Sequence, residues 1–131
     1  MTDLKIRQSL ANLGRALDRL REALHEPEGS SLVVDGTIQR FEFVIELYWK
    51  TLKRMLAAEG IETSTPREAL QEAFQAHWLA DETAWLEMLR DRNLTSHVYD
   101  EAISIQIVAR IRQNFPELER TYKFLQHRSQ A

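Results

Sequence analysis

Ile6, Leu10, Leu13, Leu17, Leu20 and Leu24 recur every three or four residues, which draws one apolar seam down a helix. Arg15, Asp18, Arg19, Arg21 and Glu22 cover the other side. The pattern predicts a helix from about Asp3 to His25, stopped by Pro27 and Gly29. A second seam follows through Ile38, Phe41, Ile45, Tyr48, Leu52 and Met55. Asp35 is its expected N-cap, and the helix should run to about Glu59 and close at Gly60. Phe43, Val44, Leu47 and Trp49 widen this stripe beyond one seam. A helix so broadly apolar must be covered on more than one side, and a partner subunit is one way to do that.

Later in the chain the punctuation is sharper. Thr65, Pro66 and Glu68 supply a cap, a first-turn proline and an acid at the third helical position, predicting a short helix from Pro66 to about Ala76. Asp81 is the next expected N-cap, with Trp85, Leu86 and Leu89 inside its helix. Asp100 and Glu101 sit where acids favour a helix start, and Ile103, Ile107, Val108 and Ile111 carry that helix to about Asn114. Pro116 is expected to open a separate last segment through Leu118, Tyr122 and Leu125. The only strand-like stretch, SSLVV at 30–34, is too short and stands alone. The expected fold is all-α: one domain spanning 1–131, an antiparallel up-and-down four-helix bundle with additional short helices.

Composition narrows the class without changing that picture. The chain has 131 residues, enough for a real core, and only four Gly and three Pro, which suits few long elements. No apolar run is long enough to span a membrane, and MTDLKIRQSL lacks the layout of a signal peptide. With no cysteine, disulfides and thiolate metal sites are excluded, which fits a cytoplasmic protein. A net charge of −3 argues against a broad basic coat for nucleic acid, although a local basic cleft remains compatible with it.

One stretch departs from its surroundings: RDRNLTSHVYDE, residues 90–101. Asn93, Thr95 and Ser96 are weak helix formers set close together. Arg92 and His97 bracket them. On a regular helix these two would point about 140° apart, whereas Asn93 and His97 would stack. A break within this patch lets Arg92 and His97 converge. His97 has the chemistry of a general acid or base, though a lone histidine more often packs or caps. HxxxH and HExxH spacings are absent, and no metal site is expected. His25, His77 and His127 read as surface or packing residues, Asp91, Asp100 and Glu101 as helix-end residues, and Tyr48, Trp49, Trp78 and Trp85 as packing. Glu42, Glu46, Lys50 and Arg54 make a charged row on the second helix. Its simplest reading is a solvated face tied by Glu46–Lys50, and its alternative is the polar wall of a cleft.

The segment Arg92-Asn93-Leu94-Thr95-Ser96-His97-Val98-Tyr99 resembles the signature of HEPN domains, an Arg, four to six residues and a His, with a polar residue after the Arg. Residues 35–61 and 90–102 are similar to the second helix and signature segment of the small bacterial nucleotidyltransferase substrate-binding proteins, and the likeness covers nearly the whole chain. The resemblance implies a homodimer encoded beside a minimal nucleotidyltransferase. It further implies a metal-independent ribonuclease toxin needing no cofactor, with Arg92 holding phosphate, His97 as acid/base and Asn93 in support. RNA is then the substrate, and Tyr99 the residue that the partner modifies with AMP to silence the toxin. The alternative is a non-catalytic substrate-binding subunit of a two-chain nucleotidyltransferase. A blander option is a dimeric scaffold in which the pair only caps a kink. The chain is not the transferase itself, because no Asp-x-Asp follows Gly29-Ser30.

Overall fold

The structure, a computed structural model, describes residues 2–27, 30–95 and 100–130. Its helices are α1 (Thr2–Leu24), α2 (Ser31–Ala58), α3 (Pro66–Gln75), α4 (Glu82–Thr95) and α5 (Glu101–Gln130). The protein is all-α, with no strand among the described residues. No helix there is long and apolar enough to cross a membrane.

Every member of the α1 seam, from Ile6 to Leu24, is buried, and α1 packs on α2 and α5. α2 is the centre of the fold: it touches α1, α3, α4 and α5. Phe41, Val44, Ile45, Tyr48, Leu52, Met55 and Leu56 are all buried as a result. The breadth of its apolar stripe is therefore met almost entirely inside the chain, and does not by itself require a second subunit. Phe43 is the exception, 59% exposed.

α2 starts earlier than its sequence suggested. Ser30, not Asp35, is the N-cap, and Asp35 lies inside the helix on an exposed face. Val34 N–H donates to the Ser30 carbonyl at 3.1 Å, and the Thr37 hydroxyl donates to the Val33 carbonyl at 2.7 Å. Val33, Val34 and Thr37 border a groove shared with α5, and this packing outweighs the weak helix preference of β-branched residues. At its other end, Ile61 N–H reaches the Leu56 carbonyl and Gly60 N–H the Ala57 carbonyl. Gly60 there has φ +85°, the glycine termination expected from its place.

The capping box of α3 is complete: Glu68 N–H donates to the Thr65 hydroxyl and Thr65 N–H to the Glu68 carboxylate, each at 3.1 Å. Asp81 caps α4 by accepting from Ala84 N–H at 3.1 Å. Trp85 of α4 meets Tyr48 edge-on, with centroids 4.8 Å apart, and the buried Tyr48 hydroxyl donates to the Leu118 carbonyl at 2.5 Å. α5 corrects the second boundary. Pro116 does not open a new segment but sits inside one helix of 30 residues. Pro116 itself is exposed, while Phe115 and Leu118 on either side are buried in the core.

Candidate active site at the end of α4

The described residues hold two helices here, α4 up to Thr95 and α5 from Glu101, with Asp100 outside both. α4 is described as far as Thr95, whose hydroxyl lies 2.8 Å from the Arg92 carbonyl. Asp100 restarts the chain: its carboxylate accepts from Ala102 N–H at 2.8 Å and Ile103 N–H at 3.2 Å, capping α5. His97 and Tyr99, with Ser96 and Val98, lie outside the described residues.

The two flanks are pinned by a pair that sequence reasoning misses. Asp91 reads from the sequence as a helix-end residue, yet it is only 3% exposed, and Arg110 of α5 grips it with two hydrogen bonds of 2.9 and 2.8 Å. Hydrogen bonding to Asp91 raises the Arg110 pKa despite the opposing effect of burial. A signal was present. Asp91 continues the buried stripe Ala84, Trp85, Met88, and a charge on a buried stripe needs a partner.

Arg92 points the other way, onto α2. Its Nη2 donates to Glu46 Oε2 at 3.2 Å. Glu46 also accepts from Trp49 Nε1 at 3.2 Å and pairs with Lys50 at 3.2 Å. One turn back along α2, the Thr95 hydroxyl lies 2.9 Å from Glu42 Oε2, so α4 is stitched to α2 at two successive acids. Burial alone would raise the Glu46 pKa. The hydrogen bonds from Trp49 and Lys50, then the charges of Lys50 and Arg92, outweigh it and hold the carboxyl below its usual value.

Glu42, Glu46 and Arg92 line a groove of about 740 Å³. The row on α2 is thus divided: Glu42 and Glu46 form groove wall, while Lys50 is not part of the lining and pairs with Glu46. Asn93 is exposed. His25 (its Nδ1 2.8 Å from the Arg21 carbonyl), His77 and His127 are exposed and dispersed. Among the described residues no group of histidines and carboxylates is arranged to hold a metal. The buried aromatics Tyr48, Trp78 and Trp85 serve the core.

The site therefore places a guanidinium, restrained by one carboxylate, at the mouth of a groove and beside a break in the helix. Such a cation can exchange its carboxylate for a phosphate oxygen.

The family model described as "Nucleotidyltransferase substrate binding protein like" matches residues 8–127. A Haemophilus influenzae protein described as "Probable ribonuclease HepT" is 34% identical over 84 residues, which are 60% of this chain and 58% of that protein. The chain thus spans a little over half the length of that relative. A protein from Thermus thermophilus, known from its crystal structure, is 30% identical and superimposes with a TM-score of 0.78, covering 91% of this chain and 99% of that one.

Proposed function

The chain belongs to the nucleotidyltransferase substrate-binding-like family, and on that footing we propose that it is the HEPN toxin-like member of a two-gene pair, a metal-independent endoribonuclease controlled by a small nucleotidyltransferase. The observation that carries this reading is Arg92, set on a groove wall at a helix break with its guanidinium held ready by Glu46. The likeness to a protein described as a ribonuclease supports it.

In this reading Arg92 binds the phosphate of an RNA strand and offsets the charge that grows on it. His97 takes the proton of the adjoining 2′-hydroxyl. The 2′-oxygen forms its bond to phosphorus, the bond to the 5′-oxygen breaks, and the proton is returned to that leaving oxygen. The products are a 2′,3′-cyclic phosphate and a 5′-hydroxyl, and no metal or cofactor enters the balance. Asn93 supports the phosphate from the exposed side of α4. The partner transfers AMP from a nucleoside triphosphate to the phenol oxygen of Tyr99, releasing pyrophosphate, and the bulky adenylate blocks the site. The protein works in the cytoplasm.

Contacts among α1, α2, α4 and α5 close a ring, α1 on α2, α2 on α4, α4 on α5 and α5 on α1, which supports an up-and-down four-helix bundle with α3 as the extra helix. For the homodimer the best surface joins the start of α2 to the start of α5. Leu32 and Ile105 are 81% and 53% exposed there, beside a groove of about 410 Å³ whose lining includes Val33, Val34 and Val108. Pairing two copies across it covers Leu32 and Ile105.

A second reading has one observation in its favour. Arg92 is already paired with Glu46, as a clamp for a small ligand would be before loading. The chain is then a non-catalytic substrate-binding subunit of the nucleotidyltransferase. The deciding experiment is RNA cleavage by the purified protein beside Arg92→Ala and His97→Ala. Each substitution should lower the rate by roughly 10²–10⁴-fold with the fold intact. Wild-type protein that leaves RNA whole, and whose Arg92 variant loses only a small ligand, decides for the subunit.

A further inference from the structure

The groove at Arg92 extends well beyond the residues assigned so far. α2 supplies its floor through Gly36, Gln39, Arg40 and Phe43, and α1 adds Ala16 and Arg19. The Arg40 guanidinium is held along the seam of the two helices: its Nη1 donates to the Arg19 carbonyl at 2.7 Å, and Glu22 stands 3.9 Å away. The Arg19 side chain is exposed, and Phe43 presents more than half of its surface. Three arginines against Glu42 and Glu46 leave the groove one positive charge (three minus two) on a chain whose net charge is −3. Lys50 additionally offsets Glu46. Glu22, beside Arg40, balances Lys50 in turn, so the groove and its rim keep one net positive charge on an acidic protein.

Gly36 adds an independent observation. Glycine is a poor helix former, yet it stands inside α2. A Cβ at that position would meet no atom of the chain within 4 Å, so internal packing does not ask for glycine. Bare backbone at a groove floor admits close approach from outside.

We propose that this groove is a subsite for single-stranded RNA, in which Arg19 and Arg40 hold backbone phosphates next to the one at Arg92 and Phe43 stacks a base. It rests on the ribonuclease reading for the phosphate at Arg92. A single strand is required because an exposed aromatic can take only an unpaired base on its face. The spread of cations over α1, α2 and α4 follows a backbone, whereas a mononucleotide would need them gathered at one point.

The test is fluorescence anisotropy with a labelled 2′-O-methyl oligoribonucleotide, which cannot be cleaved because it lacks the attacking hydroxyl. Wild-type protein should bind it with a marked salt dependence. Arg19→Glu, a change on an exposed side chain, should weaken binding and flatten the plot of log K against log salt by about 0.7 for each phosphate no longer neutralised. Phe43→Ala should weaken binding roughly five- to hundredfold. Gly36→Ala should raise the melting temperature while weakening binding, a pair of signs that general destabilisation does not give. Unaltered affinity in Arg19→Glu and Phe43→Ala overturns the proposal. So does a Phe43→Ala protein that turns from dimer to monomer with binding intact, since that face then belongs to a second copy. Wild type that cleaves RNA but does not bind the analogue overturns the subsite and spares the ribonuclease reading. Binding through Arg19 and Phe43 without any cleavage does the reverse.

Discussion

Asp91 and Arg110 form a two-bond ion pair, 2.9 and 2.8 Å, that fastens α4 to α5 one residue before Arg92. Asp91 is almost wholly buried, so its charge depends on this one guanidinium. Arg110→Ala should destabilise the fold by about 3 kcal/mol, near the low end for stranding one half of a buried pair, because Arg110 itself is partly exposed. Replacing both partners, Asp91→Leu with Arg110→Met, should recover most of the loss. Urea denaturation reads both, and a single-variant loss below about 1 kcal/mol would contradict the assignment.

Glu46 should make stability depend on pH. Its folded-state pKa lies below the unfolded value, so its contribution is full above the ordinary carboxylate range and is lost as pH falls through the folded pKa. Glu46→Gln should therefore be less stable than wild type at neutral pH, with the gap closing in acid. Denaturation midpoints of the two proteins taken from neutral pH downward give the comparison. A gap constant with pH would mean that Glu46 acts by shape and not by charge.

Gly14 and Gly36 are both helical glycines, yet they should respond to alanine with opposite signs. A Cβ at Gly14 would collide with the Tyr122 hydroxyl, which donates to the Leu10 carbonyl at 3.1 Å. Gly14→Ala should thus destabilise, even though alanine favours a helix by about 1 kcal/mol. With Tyr122→Phe in place the most crowded atom is gone, and the same substitution should cost distinctly less. A double-mutant cycle by thermal denaturation measures the coupling, and additivity would refute the contact.

Tyr99→Phe separates cleavage from its control. The change keeps the ring but removes the oxygen to which AMP would be joined. The variant should cleave RNA like wild type and be insensitive to incubation with the nucleotidyltransferase and ATP. Intact mass measurement should show the AMP adduct on wild type alone. An adduct that persists on the variant would move the acceptor to another residue.

Much of the fold could be read from local spacing. The α1 seam, the Thr65–Glu68 box, and the Asp81 and Asp100 caps depend on neighbours within one turn, and all are present in the structure. The errors have a common origin in tertiary packing. Val33, Val34 and Thr37 are helical because α5 lies beside them, and Pro116 is tolerated because Phe115 and Leu118 are held in the core. The site divides in the same way. The interruption before Glu101 was legible in the sequence, but nothing local joins Arg92 to Glu46, 46 residues away in the chain, or Thr95 to Glu42. Asp91 escapes a local reading because its nearness to the helix boundary masks its place on the buried stripe. His97 and Tyr99 lie outside the described residues, so their proposed roles rest on the resemblance alone.

Pro116 gives α5 a mechanical character. Thirty residues make a rod of about 45 Å, with Asp100 at one end and, near the other, Arg128 clamped to Glu59 at 2.8 Å. Pro116 has no N–H to give, so the rod lacks one rung near its middle and resists bending less there. Flexure there would have to lift Phe115 or Leu118 out of the core, so the apolar contacts supply the stiffness that the backbone gives up.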